Sequence, residues 1–294
     1  MRERYINPFT DFGFKKIFGE EANTDLLIDF LNTLLPEAGP ITSLTFLKTE
    51  HLGATPTDRK AIFDLYCQNE RGEKFIVELQ KAKQKYFKDR SLYYATFAIQ
   101  EQAVMGEWDF RLQKVYAIAI MDFVFDETTT GHDKFRHDVQ LVETGTKAVF
   151  YDKLRFIYLE MPKFTKTEAE LATHYDKWLY LLKNLVLLQE LPARLQEGIF
   201  AKICQVAELA QYNEDERRAY HDSVKYYRDI KNSIDTALEE GEARGEAKGL
   251  AKGRQKEKLA LAQQLKRKGF ANTEIAELTG LSEPEIAQLK ETAL

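Results

Sequence analysis

Two apolar stretches with a repeat of two, residues 61–67 and 74–80, flank the polar link Asn-Glu-Arg-Gly-Glu, and each carries one carboxylate in its middle, Asp64 or Glu78. Alternation over that length predicts half-buried strands, and a short polar link containing glycine predicts a hairpin. With Gly72 in the left-handed position closing a three-residue loop of Glu70, Arg71 and Gly72, Asn69 pairs with Glu73 and Asp64 falls opposite Glu78. Side chains alternate along a strand, so Ile62, Asp64 and Tyr66 are expected on one face with Ile76, Glu78 and Gln80. Phe63, Leu65, Val77 and Leu79 are expected on the other. Carboxylates facing each other at a Cβ separation of roughly 5 Å repel, so one takes up a proton or a cation lies between them.

Elsewhere the repeat is helical. Residues 7–36 place Phe14, Ile17, Phe18, Leu26, Leu27, Phe30, Leu31, Leu34 and Leu35 at helical spacing, with Pro36 and Gly39 as the stop. Residues 41–50 read as a first strand. After Gln80 the period lengthens, and Tyr86, Tyr93, Phe97, Gln100 and Val104 share one helical side up to Gly106. Residues 114–125 are nearly all apolar, as in a central buried strand, and 154–164 read as another strand ended by Pro162. From 168 to about 237 the pattern is helical, with a break at Leu191 and Pro192. Helix, three strands, helix, strand and strand predict an α/β fold with a mixed sheet flanked by helices and an all-helical C-terminal region.

The texture then changes. Gly241, Gly245, Gly249 and Gly253 recur every four residues among Ala, Glu, Lys and Arg. Glycine costs a helix about 1 kcal/mol against alanine, so this stretch reads as a soft helical linker, or as a small-residue stripe along which two helices pack into a homo-oligomer. In the last segment Leu259, Leu261, Ala262 and Leu265 form one helical face that Gly269 ends. Asn272 or Thr273 can cap a second helix, and Ser282 with Glu285 forms a capping box for a third. That layout is helix-turn-helix-like, with a core of Ile275, Ala276, Leu278, Leu281, Ile286 and Leu289. Between Arg244 and Lys268 nine Lys or Arg stand against two Glu, which suits phosphates or a solvated face alike. The expected divisions are a core over 1–165, a helical extension over 166–240, a linker over 241–257 and a small tail over 258–294.

Composition narrows the function classes. The chain has 294 residues, 44% apolar and 30% charged, with a net charge of -5. That balance neither demands nor forbids nucleic acid, because local clusters of basic residues decide such binding. Cys67 and Cys204 are far apart and lack metal-ligand spacing, which argues against a disulfide framework and a zinc site. No apolar run reaches the roughly 20 residues that span a bilayer, and the N-terminus lacks an apolar signal core, so a cytoplasmic protein with no membrane partner is expected.

NPFTDFGFKKIFG, DFLNTLL, FDLYC, IVELQ, FKDRSLYYATF and IYLEMPKF together resemble the recombination-promoting nuclease family (Rpn), also called PD-(D/E)xK transposases, over nearly the whole chain. The resemblance implies a restriction-endonuclease-like core that cleaves DNA with Mg²⁺, with Mn²⁺ or Ca²⁺ able to substitute for binding. On it, Asp64 and Glu78 are metal ligands and Gln80 stands where most of the wider superfamily carries lysine. Glutamine can orient water or phosphate but brings no charge. Arg90, which the motif carries, is the leading candidate for the missing cation. Lys81 and Lys85 read instead as an exposed basic face. Asp11, one helical turn before Lys15, is a candidate third acidic ligand, although an ion pair within the helix explains it equally well. His132, Asp133, His137 and Asp138 read as a polar loop after Gly131 rather than a metal site. The competing expectation is an inactive DNA-binding or regulatory protein that retains the fold.

Overall fold

Asn7 and Thr10 organise the turn from which the first helix starts. Asn7 Oδ1 accepts the Phe9 amide at 2.9 Å and the Thr10 hydroxyl accepts the Gly13 amide at 3.0 Å, giving α1 (Asp11–Phe18) a side-chain cap. The amide of Phe12, another donor left open at a helix start, goes to the Ser223 hydroxyl at 3.1 Å. Gly19 ends this helix, a 3-10 turn follows, and α2 (Thr24–Leu34) begins, so the single helix expected over 7–36 is two. The computed structural model describes residues 3–51, 61–103, 106, 108–125, 134–196 and 198–289.

The strands and remaining helices follow as β1 (Leu44–Phe46), β2 (Glu50–His51), β3 (Ala61–Ile62), β4 (Leu65–Asn69), β5 (Lys74–Gln80), α3 (Phe87–Gln100), β6 (Val115–Met121), β7 (Arg136–Val142), β8 (Val149–Glu160), α4 (His174–Asn184), α5 (Gly198–Ala207), α6 (Glu214–Arg267), α7 (Asn272–Thr279) and α8 (Glu283–Gln288). Six strands form one sheet in the order β1-β4-β5-β6-β8-β7, while β2 and β3 pair separately. β5, β6 and β8 run parallel at the centre, and the other pairs are antiparallel. The hairpin register is the expected one: Leu65 pairs with Val77, Gln68 with Lys74, and Gly72 takes φ 77°. β7 lies in a stretch expected as loop. Its side chains are mostly polar because it is an edge strand, exposed on one side.

Each face of the sheet has its own core. Leu65, Cys67, Phe75, Val77, Leu79, Ile118, Ile157 and Leu159 pack against α1, α2, α4 and α5. Trp178 sits among Phe18, Phe30 and Phe200, with ring centroids 5.4–5.7 Å apart. On the other face Tyr66, Ile76, Ala117, Ala119, Met121, Phe156 and Tyr158 lie under Phe87, Ala95 and Ala98 of α3. Alanine at 117 and 119 on the sheet, and at 95 and 98 on the helix, removes the bulk between these layers. Of the side read from the sequence, Tyr86 is 64% exposed and Tyr93 44%, whereas Phe97 packs against this core. The buried stripe runs one residue out of phase with the aromatic one, because small residues fit the sheet more closely than tyrosine.

The structure divides into two compact units, Met1–Lys231 and Asn232–Leu294. In the first, Leu179, Leu182, Phe200, Ile203, Tyr220 and Val224 share a core with α1 and α2, so the segment expected as an extension from 166 is continuous with the sheet domain. The second has a small core of Ala262, Ile275, Leu281 and Ile286, edged by Leu259, Leu265, Ala276 and Leu289. Ser282 and Glu285 make the expected capping box, whereas α7 starts one residue earlier than expected, with the Ala271 amide held by Glu274 at 3.0 Å. Leu278 is 62% exposed and stands outside that core. The glycine repeat lies inside α6, and a Cβ placed on any of Gly241, Gly245, Gly249 or Gly253 would touch nothing. Among the described residues no helix is long and apolar enough to cross a membrane.

Candidate active site

The hairpin brings Asp64 and Glu78 together, and a backbone amide across the hairpin holds each carboxylate. The Asp64 amide donates to Glu78 Oε1 at 3.3 Å, and Asp64 Oδ2 accepts the Leu79 amide at 2.7 Å. Asp64 lies at a bend immediately before β4, one step beyond the last ladder pair, so it continues the register toward Glu78. The bend breaks the expected alternation. Phe63, assigned to the opposite face, packs with Tyr66 and Tyr94 on the α3 side, at ring distances of 5.2 and 5.5 Å. Asp64 lines a cleft of about 490 Å³ beside α1, and Glu78 borders a void of about 20 Å³ under α3.

Both carboxyls are held above the usual carboxylate range. Burial pushes Glu78 up to about 8, the Asp64 charge adds to the rise, and Arg90 opposes it. Burial likewise raises Asp64, while the Leu79 amide favours the charged form. Asp11 adds repulsion, and Lys15 and Lys81 counter it. At neutral pH the pair therefore resists carrying two negative charges unless a cation joins them.

Gln80 follows on the same strand, buried, with its side-chain amide donating to Glu78 Oε2 at 3.1 Å. It steers the carboxylate rather than charging it. Arg90, on the first turn of α3, lies over the rings of Phe87 and Tyr94 at 5.7 and 5.4 Å, hydrogen-bonds Gln84, and lines the void with Glu78. Asp11 opens α1, half exposed, paired with Lys15 at 3.0 Å; it lines the Asp64 cleft with Lys15, Tyr66 and Ser223. Among the described residues no group of three or more Asp, Glu, His or Cys side chains converges as a metal cluster. Asp64 and Glu78 thus form a pair, with Asp11 across the cleft from Asp64.

Lys81 is the residue that sequence reasoning undervalued. It belongs to no helix. It is partly buried at the end of β5, where desolvation pulls its ammonium below the ordinary lysine range and Asp11 and Asp64 hold it up. Tyr226 of α6 lies 5.7 Å from it. The available signal was position: Lys81 follows Gln80 directly, and a chain leaving the C-terminal end of a parallel strand emerges where ligands bind in α/β sheets. Asp122 was also missed. Its amide donates to the Gln80 carbonyl at 2.8 Å, and its carboxylate takes the Tyr227 hydroxyl at 2.6 Å and Lys231 at 3.0 Å.

The other candidates lie away from this pair or outside what is described. His132 and Asp133 fall outside the described residues. His137 and Asp138, expected in a loop, belong to β7, where Asp138 pairs with Arg136 and Arg155, each at 2.8 Å. His137 approaches the buried Glu160 at 3.5 Å, and Glu160 is neutralised by Lys163 at 2.6 Å. These contacts tie the sheet edge together.

The donor set suits a hard divalent cation: two carboxylates whose charges conflict until something positive joins them, with amide and lysine groups at hand for a phosphate. Residues 8–237 match a family model described as PD-(D/E)XK nuclease family transposase. Comparison with curated proteins and with solved structures finds no match.

Proposed function

This chain belongs to the PD-(D/E)XK nuclease family transposases, and on that premise we propose that it is a metal-dependent DNA endonuclease of the mobile-element or phage-defence kind. The observation that carries the reading is that a backbone amide across the hairpin holds each carboxylate, Asp64 N–H on Glu78 and Leu79 N–H on Asp64, which keeps two mutually repelling groups together. Asp64 and Glu78 would hold Mg²⁺, with Mn²⁺ or Ca²⁺ as stand-ins for binding and Asp11 as a further carboxylate lining the cleft. Such an ion, when bound, supplies an activated water and offsets phosphate charge.

The chain's own residues account for the remaining requirements. Glu78 would hold a cation in its ionised form, and Gln80 keeps its second oxygen in place. Lys81, on the Asp64 side, and Arg90, on the Glu78 side, supply the positive charge that Gln80 lacks, facing a phosphate whose charge grows as the bond breaks. Phe46, Leu47 and Phe12 line the cleft and limit bulk water.

Purified protein incubated with supercoiled plasmid, with Mg²⁺ and with chelator, tests the reading. Nicking that needs the metal and disappears in Asp64→Asn and Glu78→Gln is expected. Wild-type protein that binds DNA yet never nicks it, with Mg²⁺ or Mn²⁺, would leave the inactive DNA-binding alternative.

A further inference from the structure

The outer side of α3 and the turn before it carry groups that the cleavage centre does not use. A groove of about 260 Å³ lies between residues 83–89 and the pair Phe123 and Phe125. Four aromatic residues line it, Tyr86, Phe87, Phe123 and Phe125, together with Lys83, Lys85 and Lys88 against the single acid Asp89. The Lys85 ammonium stands 5.3 Å from the Tyr86 ring and that of Lys88 4.8 Å from the Phe125 ring. Tyr86 is largely exposed. Phe87 also borders the void that holds Glu78 and Arg90, so the groove adjoins the cleavage centre with one ring between them. Further along α3 the Tyr93 and Phe97 rings meet edge to face at 5.1 Å.

We propose that this groove binds one nucleotide of an unpaired DNA strand, stacking its base on the exposed Tyr86 ring and taking the flanking phosphates on the lysines. Aromatic side chains beside cations are the combination that single-stranded nucleic acid requires, because every base offers a stacking face and every linkage a charge. A base inside a duplex has both faces covered and must be extruded before it can occupy such a slot. The size agrees, since a groove below the usual range for drug-sized ligands accommodates a single ring system. An apolar protein helix would fit poorly, because it would lay hydrocarbon against three ammonium groups. The inference rests on the nuclease reading and specifies its substrate: a strand with at least one unpaired or extruded nucleotide beside the scissile phosphate.

Fluorescence anisotropy of the full chain, in chelator so that no strand is cut, with labelled oligothymidylate and a duplex of equal length, provides the test. Tighter binding of the single strand is expected, with about tenfold loss in Tyr86→Ala, retention in Tyr86→Phe and little change for duplex. Lys88→Ala should weaken both forms and flatten their salt dependence by the equivalent of about one phosphate. Single-strand affinity unchanged in Tyr86→Ala and in Phe125→Ala overturns the inference, and does so alone if the wild-type chain nicks plasmid. Failure of the wild-type chain to bind either oligonucleotide overturns it together with the nuclease reading.

Discussion

Glu78 shows how a single side chain links stability to chemistry. Its carboxyl ionises near 4.5 when free of the fold and near 8 within it, so between those values the folded chain holds a proton that the unfolded chain has lost. Stability from this group is complete below about 4.5 and is lost as the pH rises through 8. Glu78→Gln should therefore raise the unfolding free energy by roughly 3–5 kcal/mol at pH 8 and by almost nothing at pH 4.5, read by urea titration at both values. A gain that grows toward acid would contradict the assignment. The same proton predicts that metal-dependent nicking climbs with pH and levels off above about 8. Asp64 differs because its oxygen accepts the Leu79 amide. Asp64→Ala strands that donor and should cost about 1–3 kcal/mol beyond what Asp64→Asn costs, although both abolish cleavage. Equal melting temperatures for the two would show that the bond contributes nothing.

At the scale of elements, the hairpin was the most legible part of the chain. Alternation, Gly72 and the link length sufficed for its register, because side chains facing the wrong way would bury charge along its whole length. The outward placement of Tyr86 and Tyr93 was not legible, since periodicity shows that a helix has two sides without showing which layer each one meets. The same limit hid β7, whose residues look like a loop until β8 is present to pair with them. The glycine repeat within α6 supports its own prediction. Replacing Gly241, Gly245, Gly249 and Gly253 together by alanine should raise helicity in circular dichroism, with up to about 1 kcal/mol of local stabilisation per site, because each added Cβ meets open space within the chain. If sedimentation shows that the wild type is an oligomer and the quadruple variant a monomer, the stripe packs helices from two chains.

For the whole molecule, the division near residue 231 decides where the chain can be cut. Ending it after Glu240 retains Tyr220, Val224 and the Tyr227 bond to Asp122, and should leave a folded nuclease. Its log affinity for DNA should depend less steeply on log salt, by about 0.9 for each phosphate that the basic stretch from Arg244 to Lys268 engages in the full chain. Equal slopes would mean that this stretch does not touch DNA. Ending the chain after Asn213 instead removes the Tyr220 hydroxyl from Asn7 and the Ser223 hydroxyl from Phe12, and opens the core beside α1. That shorter form should lose several kcal/mol, seen as a melting temperature at least about 10 °C lower or as insolubility.

The sequence by itself determined what depends on neighbours close along the chain: the hairpin with Asp64 across from Glu78, the central strand β6, the capping box of α8 and the family motifs. Each follows from local geometry, in which the period of side chains or the reach of one turn leaves a single arrangement. Tertiary structure decided what depends on residues distant in sequence. It placed Asp64 on a cleft beside α1 and Glu78 on a void under α3, and it set Lys81 within reach of the Asp11 and Asp64 charges. It also raised the Glu78 carboxyl, because desolvation belongs to no residue alone but to the layers packed around it.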